Sequence, residues 1–149
     1  TLPDGRTGMT LACQDGRIAE VAPAISGQSR QTIDAKGYLV SPPFIDSHFH
    51  MDATLSLGIP RLNQSGTLLE GIALWGELKP LLTHDAVVER ALRYCDLAVA
   101  QGIGAIRTHV DVCDDRLLCV EALLDVREHI KNYLELQIVA LPQDGSSRS

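Results

Sequence analysis

Three short apolar runs, 44–51, 105–112 and 136–141, alternate with stretches of helical periodicity, and this order constrains the fold more than any other feature of the chain. Strands separated by helices call for parallel pairing with right-handed crossovers. After the first run, Thr67 and Glu70 form the pattern of a capping box for a short helix that stops before Pro80. A second helix starts on Thr83 as N-cap and runs to about Gln101. Its Val87, Val88, Ala91, Leu92, Cys95, Ala98 and Val99 recur at helical spacing, and Gly102 is a natural stop. Asp114 or Asp115 is expected to cap a third helix, with Leu117, Leu118, Leu124 and Ile130 on its buried side.

The two faces of the strands differ in chemistry. The first run reads as a buried strand in which Asp46, His48 and His50 share one face and Ile45, Phe49 and Met51 the other. In the second, Ile106, Val110 and Val112 face one way, and Arg107, His109 and Asp111 the other. A doubly wound sheet, covered by helices on both sides, would be apolar on both faces. A polar inner face with functional groups near the strand ends fits a (β/α)8 barrel instead. Such a barrel takes about 250 residues, and the 149 here fall well short. The expected fold is α/β, a partial TIM-like barrel holding the first three βα units.

A small β unit precedes it. Met9–Cys13 and Arg17–Val21 flank Asp15-Gly16, a strong hairpin signal because a tight primed turn needs positive φ. A polar loop follows, and then Thr32–Asp34 and Tyr38–Val40 flank a further turn at 35–37. The expected division is 1–40 for the β unit and 41–149 for the barrel portion. Residues 53–66 read as a long loop, and the tail 146–149 as polar and featureless.

Composition excludes several functions. A net charge of −6, no Lys/Arg run and few aromatics argue against a nucleic-acid surface. No apolar stretch approaches the ~18 residues of a membrane span. The chain opens on no signal peptide and not on Met, so a processed or truncated start is expected. Cys13, Cys95, Cys113 and Cys119 form no C-x-x-C pair and match no zinc-finger spacing, and they read as reduced residues of a cytoplasmic protein.

The chemistry concentrates in SPPFIDSHFHMD, residues 41–52. Two imidazoles on one face of a strand can give two nitrogen ligands to one ion, and neutral imidazole suits Zn2+ or Fe2+. Two ligands are fewer than a catalytic site normally takes from the protein. His109 reads either as support beside such a metal or as one member of a buried polar cluster with Arg107 and Asp111. Asp52 either orients a histidine or caps the following loop. Asp46 reads as structural, Trp75 as packing, and His84 and His129 as solvent-exposed.

With SPPFIDSHFHMD, the segments NQSGTLLEGIALWGELKPLLTHD (63–85), AIRTHVDV (105–112) and LQIVALPQDG (136–145) resemble the amidohydrolase superfamily, and within it bacterial cytosine deaminases. The resemblance runs over nearly the whole chain to Gly145. It implies a distorted (β/α)8 barrel, with a small β-sandwich built from both chain ends, of which residues 1–40 would be part. It also implies one divalent metal, Fe2+ or Zn2+, held in part by His48 and His50. Gln143 would hold the amide edge of a pyrimidine, since an amide both donates and accepts. The implied reaction is hydrolytic deamination of cytosine or a related cyclic amidine by metal-activated water, as in pyrimidine salvage. The remaining ligands and proton-shuttling groups come from later strands in the family, so no catalytic residue is assigned here. The expected partner of the full-length protein is a nucleobase or related ring, and the expected state a homo-oligomer, with no nucleic acid and no membrane.

Two other readings stay open: a non-catalytic remnant or interaction fragment, and an amidohydrolase acting on triazine or other cyclic amines. The zinc cytidine-deaminase fold is excluded, because neither H-x-E nor P-C-x-x-C occurs.

Overall fold

The computed structural model describes residues 1–143 and 145; Asp144 and the tail 146–149, expected to be featureless, lie outside the described residues. The chain divides into two compact units, Thr1–Pro42 and Pro43–Ser149.

In the first unit β1 (Thr10–Gln14) and β2 (Arg17–Ala22) pair antiparallel. Asp15 and Gly16 take φ of 52° and 73°, the left-handed pair a primed two-residue turn requires. A register shift at Ala12/Cys13 bends the ribbon. The segments 32–34 and 38–40 are not strands. They flank a turn in which the Tyr38 N–H donates to the Ala35 carbonyl at 3.0 Å, and Ile33, Tyr38 and Leu39 are exposed.

In the second unit β3 (Phe44–Phe49), β4 (Ile103–Asp111) and β5 (Glu135–Leu141) form a parallel sheet in the order β3-β4-β5. The helices between them are α1 (Leu68–Leu78), α2 (His84–Ala100) and α3 (Leu118–Ile130). Thr67 and Thr83 cap α1 and α2 by accepting from the N–H of Glu70 and Ala86. The box at Thr67 is not reciprocal. The Glu70 carboxylate turns back to the N–H groups of Gln64 and Ser65, at 3.2 and 2.6 Å, and so clips the preceding loop. Arg61 adds to the clip by bridging Glu70 and Glu77. These contacts hold the Glu70 carboxyl down at about 2, the Ser65 hydroxyl first among them.

One sheet face packs against α2 and α3. Ile106 and Val110 of β4 meet Val87, Ala91 and Cys95 of α2, with Ala122, Leu123 and Val126 of α3 in the same core. The other face is open among the described residues: Arg107 and Gln137 are exposed and bonded to each other at 2.5 Å.

Three expectations are corrected. β3 is an edge strand paired with β4 alone, so Phe44 and Ile45 are 67% and 71% exposed rather than buried. Neither Asp114 nor Asp115 caps α3. Leu117 precedes the helix in the left-handed region (φ 48°) with no side-chain cap, and Asp114 instead binds the backbone and guanidinium of Arg116. The buried stripe of α3 is Cys119, Ala122, Leu123, Val126 and Ile130, which leaves Leu117 and Leu124 exposed.

Candidate metal centre

The site is built by an irregularity in β3. Asp46 lies opposite Ile106 and Phe49 opposite Thr108, so three steps along β3 match two along β4. One extra residue switches which face the chain presents. Asp46 and Phe49 therefore both reach Tyr94 of α2. The Tyr94 hydroxyl donates to Asp46 at 3.5 Å, and its ring stacks on Phe49 at 4.2 Å and 7°. This corrects the expected grouping of Asp46 with the histidines: Asp46 belongs to the helix-facing side, and Ile45 to the exposed side.

His48 and His50 meet each other, with ring centroids 5.3 Å apart and planes at 64°. His109, near the end of β4, stacks on His48 at 4.1 Å and 25° and lies 5.9 Å from His50. Among the described residues its buried Nδ1 has no hydrogen-bond partner. Hence the expected polar cluster of Arg107, His109 and Asp111 does not form as one group. Arg107 goes to Gln137, His109 to His48, and Asp111 elsewhere.

Carboxylates fix the two strand ends. Asp52, almost fully buried in the turn 51–53, accepts from the N–H of Asp111 and of Ala53, each at 3.0 Å. It thus caps its own turn and ties it to β4 rather than holding a histidine. Burial pushes its carboxyl above the ordinary range, against the opposing pull of the Asp111 N–H and the charge of His50. The Met51 N–H donates to the Thr108 hydroxyl at 2.8 Å, a second tie between the strand ends. Asp111 is buried too. It receives Trp75 Nε1 at 2.7 Å, Lys79 Nζ at 2.8 Å and the Cys113 N–H at 2.9 Å. Burial alone would raise it, but the Lys79 ammonium and these N–H groups outweigh burial and hold it at about 2. Trp75 is therefore more than packing. Trp75 and Lys79 lie four residues apart, so both reach Asp111 from one side of the chain.

Gln143 lies two residues beyond β5, half-buried in a turn. β4 stands between the ends of β3 and β5, and no described contact joins Gln143 to the histidines. His84 is 39% exposed and pairs with Asp125 at 3.1 Å, while His129 is exposed.

The donor chemistry fits a divalent metal in part. His48 and His50 are close enough for one ion to take a nitrogen from each. Among the described residues no three His, Cys, Asp or Glu side chains come together as a complete site. The near-parallel stack explains why His109 is not a third donor, since rings lying face to face do not point their nitrogens at one centre.

Fold and site together define an α/β protein whose polar groups gather at the carboxyl ends of a parallel sheet, where such folds place their ligands. The chain belongs to the amidohydrolase family, whose signature matches residues 31–149. Among solved structures it is similar to the 5-methylcytosine deaminase of Klebsiella pneumoniae liganded with 5-fluorocytosine, at 42% identity and a TM-score of 0.84, covering 92% of this chain and 34% of that one. The N-isopropylammelide isopropylaminohydrolase of Burkholderia multivorans is more distant, at 26% identity and a TM-score of 0.68, with 92% and 35% covered. The N-isopropylammelide isopropyl amidohydrolase of Pseudomonas sp. (strain ADP) is 34% identical over 134 residues, which make up 87% of this chain and 33% of the relative. The chain thus spans about a third of the length of the relatives it matches. Among the described residues no helix is long and apolar enough to cross a membrane.

Proposed function

We propose that the protein carrying this chain is a metal-dependent amidohydrolase that releases ammonia from cytosine or a closely related cyclic amidine. The observation that carries the reading is the pair of imidazoles 5.3 Å apart at the end of β3. Likeness to a 5-methylcytosine deaminase at 42% identity supports the choice of substrate class. In this reading residues 41–149 are the first βα units of a (β/α)8 barrel, and 1–40 are part of a β-sandwich.

His48 and His50 would hold one Fe2+ or Zn2+. What a bound ion supplies is Lewis acidity, which makes water nucleophilic near neutral pH. The chain's own residues do the rest of what is assigned here. The extra residue in β3 turns both imidazoles away from the core. Asp52 and Thr108 lock the turn after His50 to β4, so the ligands keep their spacing. Gln143 orients the ring, donating to its carbonyl and accepting from its N–H. Proton transfer to the departing ammonia is left to later strands.

A second reading, hydrolysis of an amine on a triazine ring, is favoured by the two N-isopropylammelide relatives. The test uses the protein as its gene encodes it. Replacing both histidines, His48→Ala with His50→Ala, should abolish bound metal and lower ammonia release from cytosine by more than about 100-fold, beyond what loss of a supporting residue costs. Normal metal content and turnover in that variant would refute the assignment.

A further inference from the structure

We propose that His109 is a positioning residue: its ring fixes the plane of the His48 imidazole, and with it the direction of the nitrogen that His48 offers a metal. The proposal rests on the reading of His48 as a ligand. Among the described residues no hydrogen bond holds the His48 imidazole; its main-chain N–H donates to Asp46 at 3.3 Å, which leaves the ring free. His48 is exposed and sits on an edge strand. A ring so placed samples several rotamers unless a neighbour restricts it. Two ring contacts remain, His50 edge-on and His109 face-on. A face-on contact at 4.1 Å and 25° restrains the tilt of a ring along its whole surface, which an edge contact does not.

The platform is firmer than the ligand it carries. His109 stands on β4, the central strand, paired with β3 on one side and with β5 on the other, where Val139 is its partner in register. Among the described residues its buried Nδ1 has no hydrogen-bond partner, so no polar anchor at that nitrogen sets the ring in place. A buried nitrogen without a partner is destabilising. The face of the ring, rather than its nitrogen, is what this site uses.

The experiment compares His109→Ala, His109→Leu, His109→Phe and His48→Ala in the full-length protein. Zn2+ affinity, metal content per chain, the visible absorption of the Co2+-substituted protein and Tm are measured. The alanine and leucine variants should bind Zn2+ about 10–100-fold more weakly and alter the Co2+ bands. The phenylalanine variant keeps a flat face, so it should retain wild-type affinity and bands, with an equal or higher Tm because the partnerless nitrogen is gone. Wild-type affinity in both His109→Ala and His109→Leu overturns the proposal, as does a phenylalanine variant as weak as the alanine one. Should His109→Ala fail to fold, the leucine and phenylalanine pair decides, since both fill the space and only one is flat. Loss of metal in His48→Ala, with His109→Leu unaffected, sinks the positioning role alone. Metal retained in His48→Ala sinks the ligand reading and this proposal with it.

Discussion

At the scale of single residues, Asp111 shows how a buried charge supports the site without entering it. It gathers Trp75, Lys79 and the Cys113 N–H, while its own N–H is taken by Asp52. Its folded pKa of about 2 lies below the ordinary aspartate value of about 3.9. A depressed carboxylate stabilises the fold above its unfolded pKa, and that contribution fades as pH falls from about 4 through about 2. Asp111→Asn removes the charge that faces Lys79, and with its one carbonyl oxygen turned to Lys79 and Trp75 its amide NH2 meets the Cys113 N–H, donor against donor. It should cost about 3 kcal/mol at pH 7, as breaking a buried pair does, and should lose most of that difference by pH 2. Urea unfolding at the two pH values checks both points. This contact was not legible in the sequence. Asp111 reads as an inward polar residue of a strand, and nothing local says that a tryptophan and a lysine more than thirty residues earlier meet it.

At the scale of elements, periodicity carried the reading well where it was strong. α2 begins on Thr83 and ends before Gly102, as its apolar spacing requires. It failed where one residue changes the phase. The extra residue in β3 exchanges the faces of Ile45 and Asp46, and strict alternation has no way to anticipate it. In α3 the reading gave the buried stripe to the large leucines, whereas the close approach to α2 selects Cys119 and Ala122. Steric limits act on the sheet as well. A Cβ built on Gly104 would lie 2.7 Å from the ring carbons of Pro43, where β4 starts beside the lead into β3. Gly104→Ala should therefore destabilise the protein by about 1–3 kcal/mol, the usual range for forcing extra atoms into a packed site. Thermal unfolding beside the wild type measures it, and an unchanged Tm would show that Pro43 yields freely.

For the molecule as a whole, the parallel layer and the histidine pair were readable because strand order and the H-x-H spacing are local patterns. What the strand ends bring together was less so. Stacking of His109 on His48 depends on the register of two strands separated by two helices. Family membership places the chain among the amidohydrolases. The most direct test of the central claim is ammonia release from cytosine by the full-length protein before chelation, after it, and after Fe2+ or Zn2+ is restored. The account predicts release that disappears with the metal and returns with it, and that exceeds release from a triazine amine. Release that survives complete metal removal, or a protein that binds the metal yet frees ammonia from no ring amine, would contradict it.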